Sequence, residues 1–143
     1  MKPLLEDIRK KRGQQSFLAF EIKQNGLDFF WHYHPEYELT LIVNGKGRRL
    51  IGDHHEYFES GDLVLIGPGL PHTWVSDSSM KEKCEVIVIQ FSIDFIERFS
   101  GLAETDSISK LLLRSKQGIS FNDYKSAAIK QLIKQLPPKN WYS

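Results

Sequence analysis

Between residues 16 and 91 apolar side chains recur at every second position in short runs, and after residue 93 they recur at every third and fourth. Alternation puts successive side chains on opposite faces of a strand, whereas the wider spacing draws one stripe along a helix. The pattern predicts strands over 16–22, 37–43, 48–51, 55–58, 63–66, 72–75 and 85–91. Turn formers separate them, notably Lys23-Gln24-Asn25-Gly26, Asn44-Gly45-Lys46-Gly47 and Gly52-Asp53. Short strands at that spacing predict a sandwich or barrel. Beyond them the spacing predicts a turn or two of helix over 94–99, a short helix over 107–115 and a longer one over 121–136. In the last, Ile129, Leu132, Ile133 and Leu136 form one apolar stripe, and Pro137-Pro138 stops it. The tail after it reads as the start of a linker, which leads us to expect a longer natural product. The expected division is an N-terminal segment (1–15), a β-barrel (16–100) and C-terminal helices with the start of a linker (101–143).

Composition narrows the function more than the fold. A chain of 143 residues is ordinary for one domain with one good core. A formal charge of +1 supplies no basic face for duplex DNA. The single cysteine, Cys84, excludes an internal disulfide and reads as a small buried hydrophobe. No signal segment or membrane-length run occurs, so a cytoplasmic protein is expected. Lys10-Lys11-Arg12 reads as a solvated start.

The chemistry is concentrated in one stretch. After Gly26 come His32, His34, Glu38 and Gly45, and a further histidine, His72, follows later. Imidazole nitrogen and carboxylate oxygen suit zinc, nickel, manganese or iron. On an extended strand His32 and His34 share a face, and Glu38 keeps that parity if the strand resumes after Pro35. The bland alternative is that the four residues bond only to one another and to an organic ligand.

Gly26 to Gly45 resembles the first motif of the cupin superfamily at every fixed position, and Gly61 to His72 resembles the second. The second departs in having Gly67 where a proline is usual, and Ser76 where an asparagine is usual four residues after the histidine. Over roughly 16–100 the wording is most similar to the N-terminal sensor domain of AraC-type transcription regulators. That resemblance implies a small antiparallel jelly-roll-like barrel with C-terminal helices, a divalent metal on His32, His34, Glu38 and His72, and a small-molecule effector. It also implies a homodimer, with DNA held by a separate domain.

Other residues are weighed against duller roles. Trp74 shares parity with His72, and could offer its indole to a carbohydrate-like ligand or simply fill the core. Arg48 and Arg49 face opposite ways, so one could enter the barrel and clamp a ligand, although an exposed pair is the plainer expectation. The stripe of Ile129, Leu132, Ile133 and Leu136 is expected to form the dimer seam or else to pack on its own barrel. His54 and His55 follow a turn and read as solvated. The competing function is a stand-alone metal-dependent cupin enzyme, a dioxygenase or sugar isomerase. Against it, no acid or base announces itself: Tyr33 has the wrong parity, and Glu36 lies in the bend after Pro35.

Overall fold

The computed structural model describes residues 1–8, 17–77, 83–98, 101–122 and 126–137. The basic run at 10–12 and the expected linker beyond residue 137 lie outside these described residues.

The strands form two five-stranded sheets. They are β1 (Leu4–Leu5), β2 (Phe17–Gln24), β3 (His32–Tyr33), β4 (Tyr37–Asn44), β5 (Gly47–Ile51), β6 (His54–Phe58), β7 (Leu63–Ile66), β8 (His72–Ser76), β9 (Cys84–Phe91) and β10 (Ile119–Ser120). One sheet runs β1-β3-β8-β5-β6 and the other β10-β7-β4-β9-β2. Every pairing is antiparallel except β1 with β3. The helices are α1 (Ile93–Glu97), α2 (Asp106–Arg114) and α3 (Ala127–Ile133). None of the described helices is long and apolar enough to cross a membrane.

The second sheet is buried on both faces, which explains the near-continuous apolar run of β9. Ile42, Val86 and Val88 pack with Phe58 on the barrel side. Leu41, Leu63, Ile87 and Ile89 pack on the other side with Ala19 and with Ile133 of α3. Strands covered on both faces lose strict alternation, because both parities must be apolar. Where polar residues do interrupt the inner face, at Glu38, Thr40 and Gln90, all three are buried. Those interruptions are the floor of the site.

Segments from both ends of the chain complete the sheets. β1 pairs with β3 beside His32, and Ile8 is buried. β10 pairs with β7 immediately before the expected long helix over 121–136, and the first two residues of that helix, Phe121 and Asn122, are loop. Phe121 donates its N–H to the Leu63 carbonyl at 2.8 Å, and the Asn122 side chain captures Leu63 N–H at 3.0 Å and Asp62 at 2.7 Å. Tertiary hydrogen bonds win over helical spacing here, and the helix is confined to Ala127–Ile133.

Gly67 has a local reason. Its N–H donates to the Ser115 carbonyl at 2.9 Å, and a Cβ there would lie 2.7 Å from that oxygen. Proline, usual at this point of the motif, has no N–H to give. Gly67→Ala should therefore destabilise the fold by about 1–3 kcal/mol through forced backbone shifts, read as a lower denaturant midpoint at unchanged slope. A midpoint equal to that of the unmutated chain would show that the C-terminal turn gives way at no cost.

Candidate functional site

The sheet switch at Pro35 sets the site. Sequence parity expects His32, His34 and Glu38 on one hairpin arm, but β3 ends at Tyr33 and β4 begins at Tyr37 in the opposite sheet. His32 and His72 are register partners on β3 and β8, while Glu38 faces Gln90 across β4 and β9. His34 lies between the sheets, its carbonyl accepting from Gly69 N–H at 2.8 Å. The ligands thus converge from two walls of the barrel.

The three histidine ligand atoms lie within 4.8 Å of one another. Each imidazole also places Nδ1 beside a backbone carbonyl: His32 at 2.6 Å from Phe30, His34 at 3.1 Å from Glu36 and His72 at 2.8 Å from Leu70. With Nδ1 assigned as the donor, Nε2 is left to receive a metal or a proton, the outer-shell pattern that orients ligating histidines. The His72 Nε2 is buried and has no hydrogen-bond partner. That orphaned atom, within a convergent imidazole set, fits a divalent ion.

Glu38 joins the set through two histidines. Its Oε1 lies 3.1 Å from His34 Nε2 and its Oε2 lies 3.5 Å from His72 Nε2. Thr40 donates to Oε2 at 2.7 Å and Gln90 donates to Oε1 at 3.0 Å. Burial alone would raise the Glu38 pKa, but the charge of His72 and the hydrogen bond from His34 hold it well below the usual carboxylate value. Burial likewise pulls His34 down, yet the hydrogen bond and charge of Glu38, with Glu36 and Glu6 behind it, leave His34 raised. His32 is lowered, first by burial and then by His72. The arrangement is a carboxylate kept ionised beside imidazoles that can exchange a proton for a metal.

A cavity of about 300 Å³ opens beside this cluster, with His32 and Glu38 on its wall. Phe20, Ile22, Leu27, Val86, Val88 and Trp74 make its apolar sides. A strap over residues 27–31 closes one flank, held by Leu27 N–H to Ser76 Oγ at 2.8 Å and Phe30 N–H to Thr73 Oγ1 at 2.9 Å. Ser76, the unusual residue of the second motif, is thus the anchor of that strap.

Residues 14–138 match the family described as the AraC-like ligand binding domain. The chain belongs to that family. No curated protein matches it in sequence. Among solved structures it is similar to ToxT from Vibrio cholerae, with a TM-score of 0.58 and 17% identity over 82% of this chain and 47% of that one. ToxT of Vibrio cholerae O395 bound to (E)-4-(8-methylnaphthalen-1-yl)but-3-enoic acid gives 0.54 and 18% over 90% and 51%. Unsaturated fatty acid-bound ToxT from Vibrio cholerae strain SCE256 gives 0.55 and 17% over 83% and 45%. At these identities the likeness is one of fold, and the chain spans about half the length of the ToxT chains it matches.

Within this AraC-like ligand-binding domain the remaining expected site residues fall differently. Trp74 lines the cavity, its ring centroid 5.8 Å from that of His72. Arg48 is exposed, and neither arginine is on the cavity wall. Arg49 is buried rather than part of an exposed pair, because Nε donates to Asp62 Oδ2 at 2.8 Å; the guanidinium is spent on that carboxylate. Of the α3 stripe, Ile133 is buried in the core, whereas Ile129, Leu132 and Leu136 stay about half exposed or more. Glu6 and Gln90 are cavity residues that parity arguments did not reach. Gln90 was legible as the polar residue that interrupts the apolar run from Val86 to Phe91, but Glu6 had no signal, since it arrives through pairing of β1 with β3.

Proposed function

We propose that this chain is the effector-binding module of an AraC-type transcription regulator, and that it binds a small molecule in the barrel without converting it. The observation that carries this reading is the cavity beside the histidine cluster: apolar walls, a few convergent polar groups and one side open to a ligand. We further propose a divalent ion on His32, His34 and His72, with Glu38 beside them, and a homodimer through α3. In the whole regulator, DNA would be contacted by residues outside these 143, in the cytoplasm. The walls favour a compact apolar body with a polar end over the carbohydrate-like ligand expected from the sequence. The acids named in the ToxT structures, a fatty acid and a naphthyl butenoic acid, are apolar-bodied too.

The test is a thermal-shift screen across small aromatic compounds, fatty acids and sugars. At least one class should raise the melting temperature, and Trp74→Ala should weaken that ligand about tenfold or more, as loss of one well-buried aromatic contact costs over 1 kcal/mol. Turnover of a compound by the metal-loaded chain, without simple binding by any, would favour the enzyme instead.

A further inference from the structure

The charge of the cavity wall carries an inference about the effector's head group, and it rests on the effector-binding reading above. Three carboxylates line the cavity, Glu6, Asp28 and Glu38, and among its described lining residues there is no lysine or arginine. Of the nearby cations, Lys23 pairs with Glu21 and Arg49 with Asp62, and neither lines the cavity. A divalent ion on the histidines would offset two of the three negative charges and leave one over. Glu38 is committed to His34, Thr40 and Gln90, so the acidity at the more exposed part of the wall belongs to Glu6, whose charge also acts on His32 and His34, and to Asp28. At that rim, away from the histidines and the Trp74 N–H, an anionic head would meet carboxylates with no lysine or arginine among the described lining residues to pair it, and that juxtaposition is repulsive.

The same wall is well made for a cation. Phe20, Phe30 and Trp74 present aromatic rings, with Phe30 stacked on His32 at 4.5 Å between centroids. Aromatic faces attract a desolvated ammonium, and carboxylates at the rim accept its hydrogen bonds. We propose that the effector is a small organic cation: an amine on an aromatic body, with the ring among Phe20, Val88 and Trp74 and the ammonium towards Glu6 and Asp28.

An isosteric series tests this: tryptamine, tryptophol and indole-3-acetate share one indole and differ in charge. Titrated calorimetrically into the purified chain, before and after chelator, they should bind in that order, with tryptamine about tenfold or more tighter than indole-3-acetate, a ratio typical of one partly screened charge contact. Glu6→Gln with Asp28→Asn should shrink the ratio towards one without lowering the ligand-free melting temperature. If the double variant misfolds, Asp28→Asn alone, at an exposed position, should still reduce the ratio. Equal or tighter binding of indole-3-acetate overturns the cationic assignment but leaves effector binding standing. If none of the three binds at millimolar concentration while sugars or fatty acids do, the amine class is also overturned; if nothing binds, effector binding falls with it.

Discussion

Purified without chelator, the chain should carry roughly one divalent ion per protomer by elemental analysis, and His72→Ala should reduce it to background. The expectation follows from the position of His72 rather than from the histidine count. Its Nε2 is buried, has no hydrogen-bond partner, and is held in place by the Leu70 carbonyl at Nδ1. Leaving such an atom empty costs about 1–3 kcal/mol of unrecovered desolvation, and a metal bond removes that cost. Loss of one of three imidazoles leaves too few strong donors to hold the ion against chelator, whereas Gln90→Ala, which only orients Glu38, should weaken binding about 10–100-fold. Zinc affinity should also fall as pH is lowered, starting above the ordinary imidazole value of 6.5, because the Glu38 carboxylate raises the affinity of His34 for the proton that zinc must displace. A chain that stays metal-free after purification and reconstitution would reduce the cluster to a hydrogen-bonded network.

How much of this was readable beforehand depends on whether a local pattern or a distant contact decides each feature. The strands over 63–66 and 85–91 come out nearly residue for residue, since their apolar runs and flanking turns are local. The set of His32, His34, Glu38 and His72 is also brought together as the spacing implies, though by a different route. Parity alone would leave all three first-motif ligands on one arm, yet Pro35 moves the chain across to the other sheet. Most of the failures share one cause. Glu6, β10 and the shortened α3 are fixed by pairing partners more than 25 residues away in the chain, such as Leu4 with His32 and Ile119 with Leu65. Arg49 failed through a nearer contact, because its exposure was decided by Asp62, 13 residues on, whose side-chain direction strand periodicity does not reveal.

Leu132→Glu should convert a micromolar homodimer to monomer while leaving the fold and the metal site intact, and Ile133→Glu, one residue along, should instead unfold the chain. The two neighbours differ in what they touch. Ile133 is only 3% exposed and packs against Leu41, Leu63 and Ile89, so a glutamate there buries an unpaired charge, a change in the severe class above about 4 kcal/mol. Leu132 is 62% exposed, with Ile129 at 47% on α3 and Leu136 at 48% just beyond its end. These three carry no core role, so an apolar surface is available for a second copy. Six half-exposed side chains across a two-fold seam give roughly 6 kcal/mol at about 1 kcal/mol each, less than the roughly 8 kcal/mol of a micromolar dimer. Such a dimer would therefore need surface beside the helix as well as this seam. A charge at its centre then parts the protomers, since two like charges would face each other across the two-fold axis. Light scattering across the micromolar range reads the outcome directly: a monomeric mass for the unmutated chain removes the dimer, and unfolding of Leu132→Glu, seen by loss of far-ultraviolet circular dichroism, returns the whole stripe to the core.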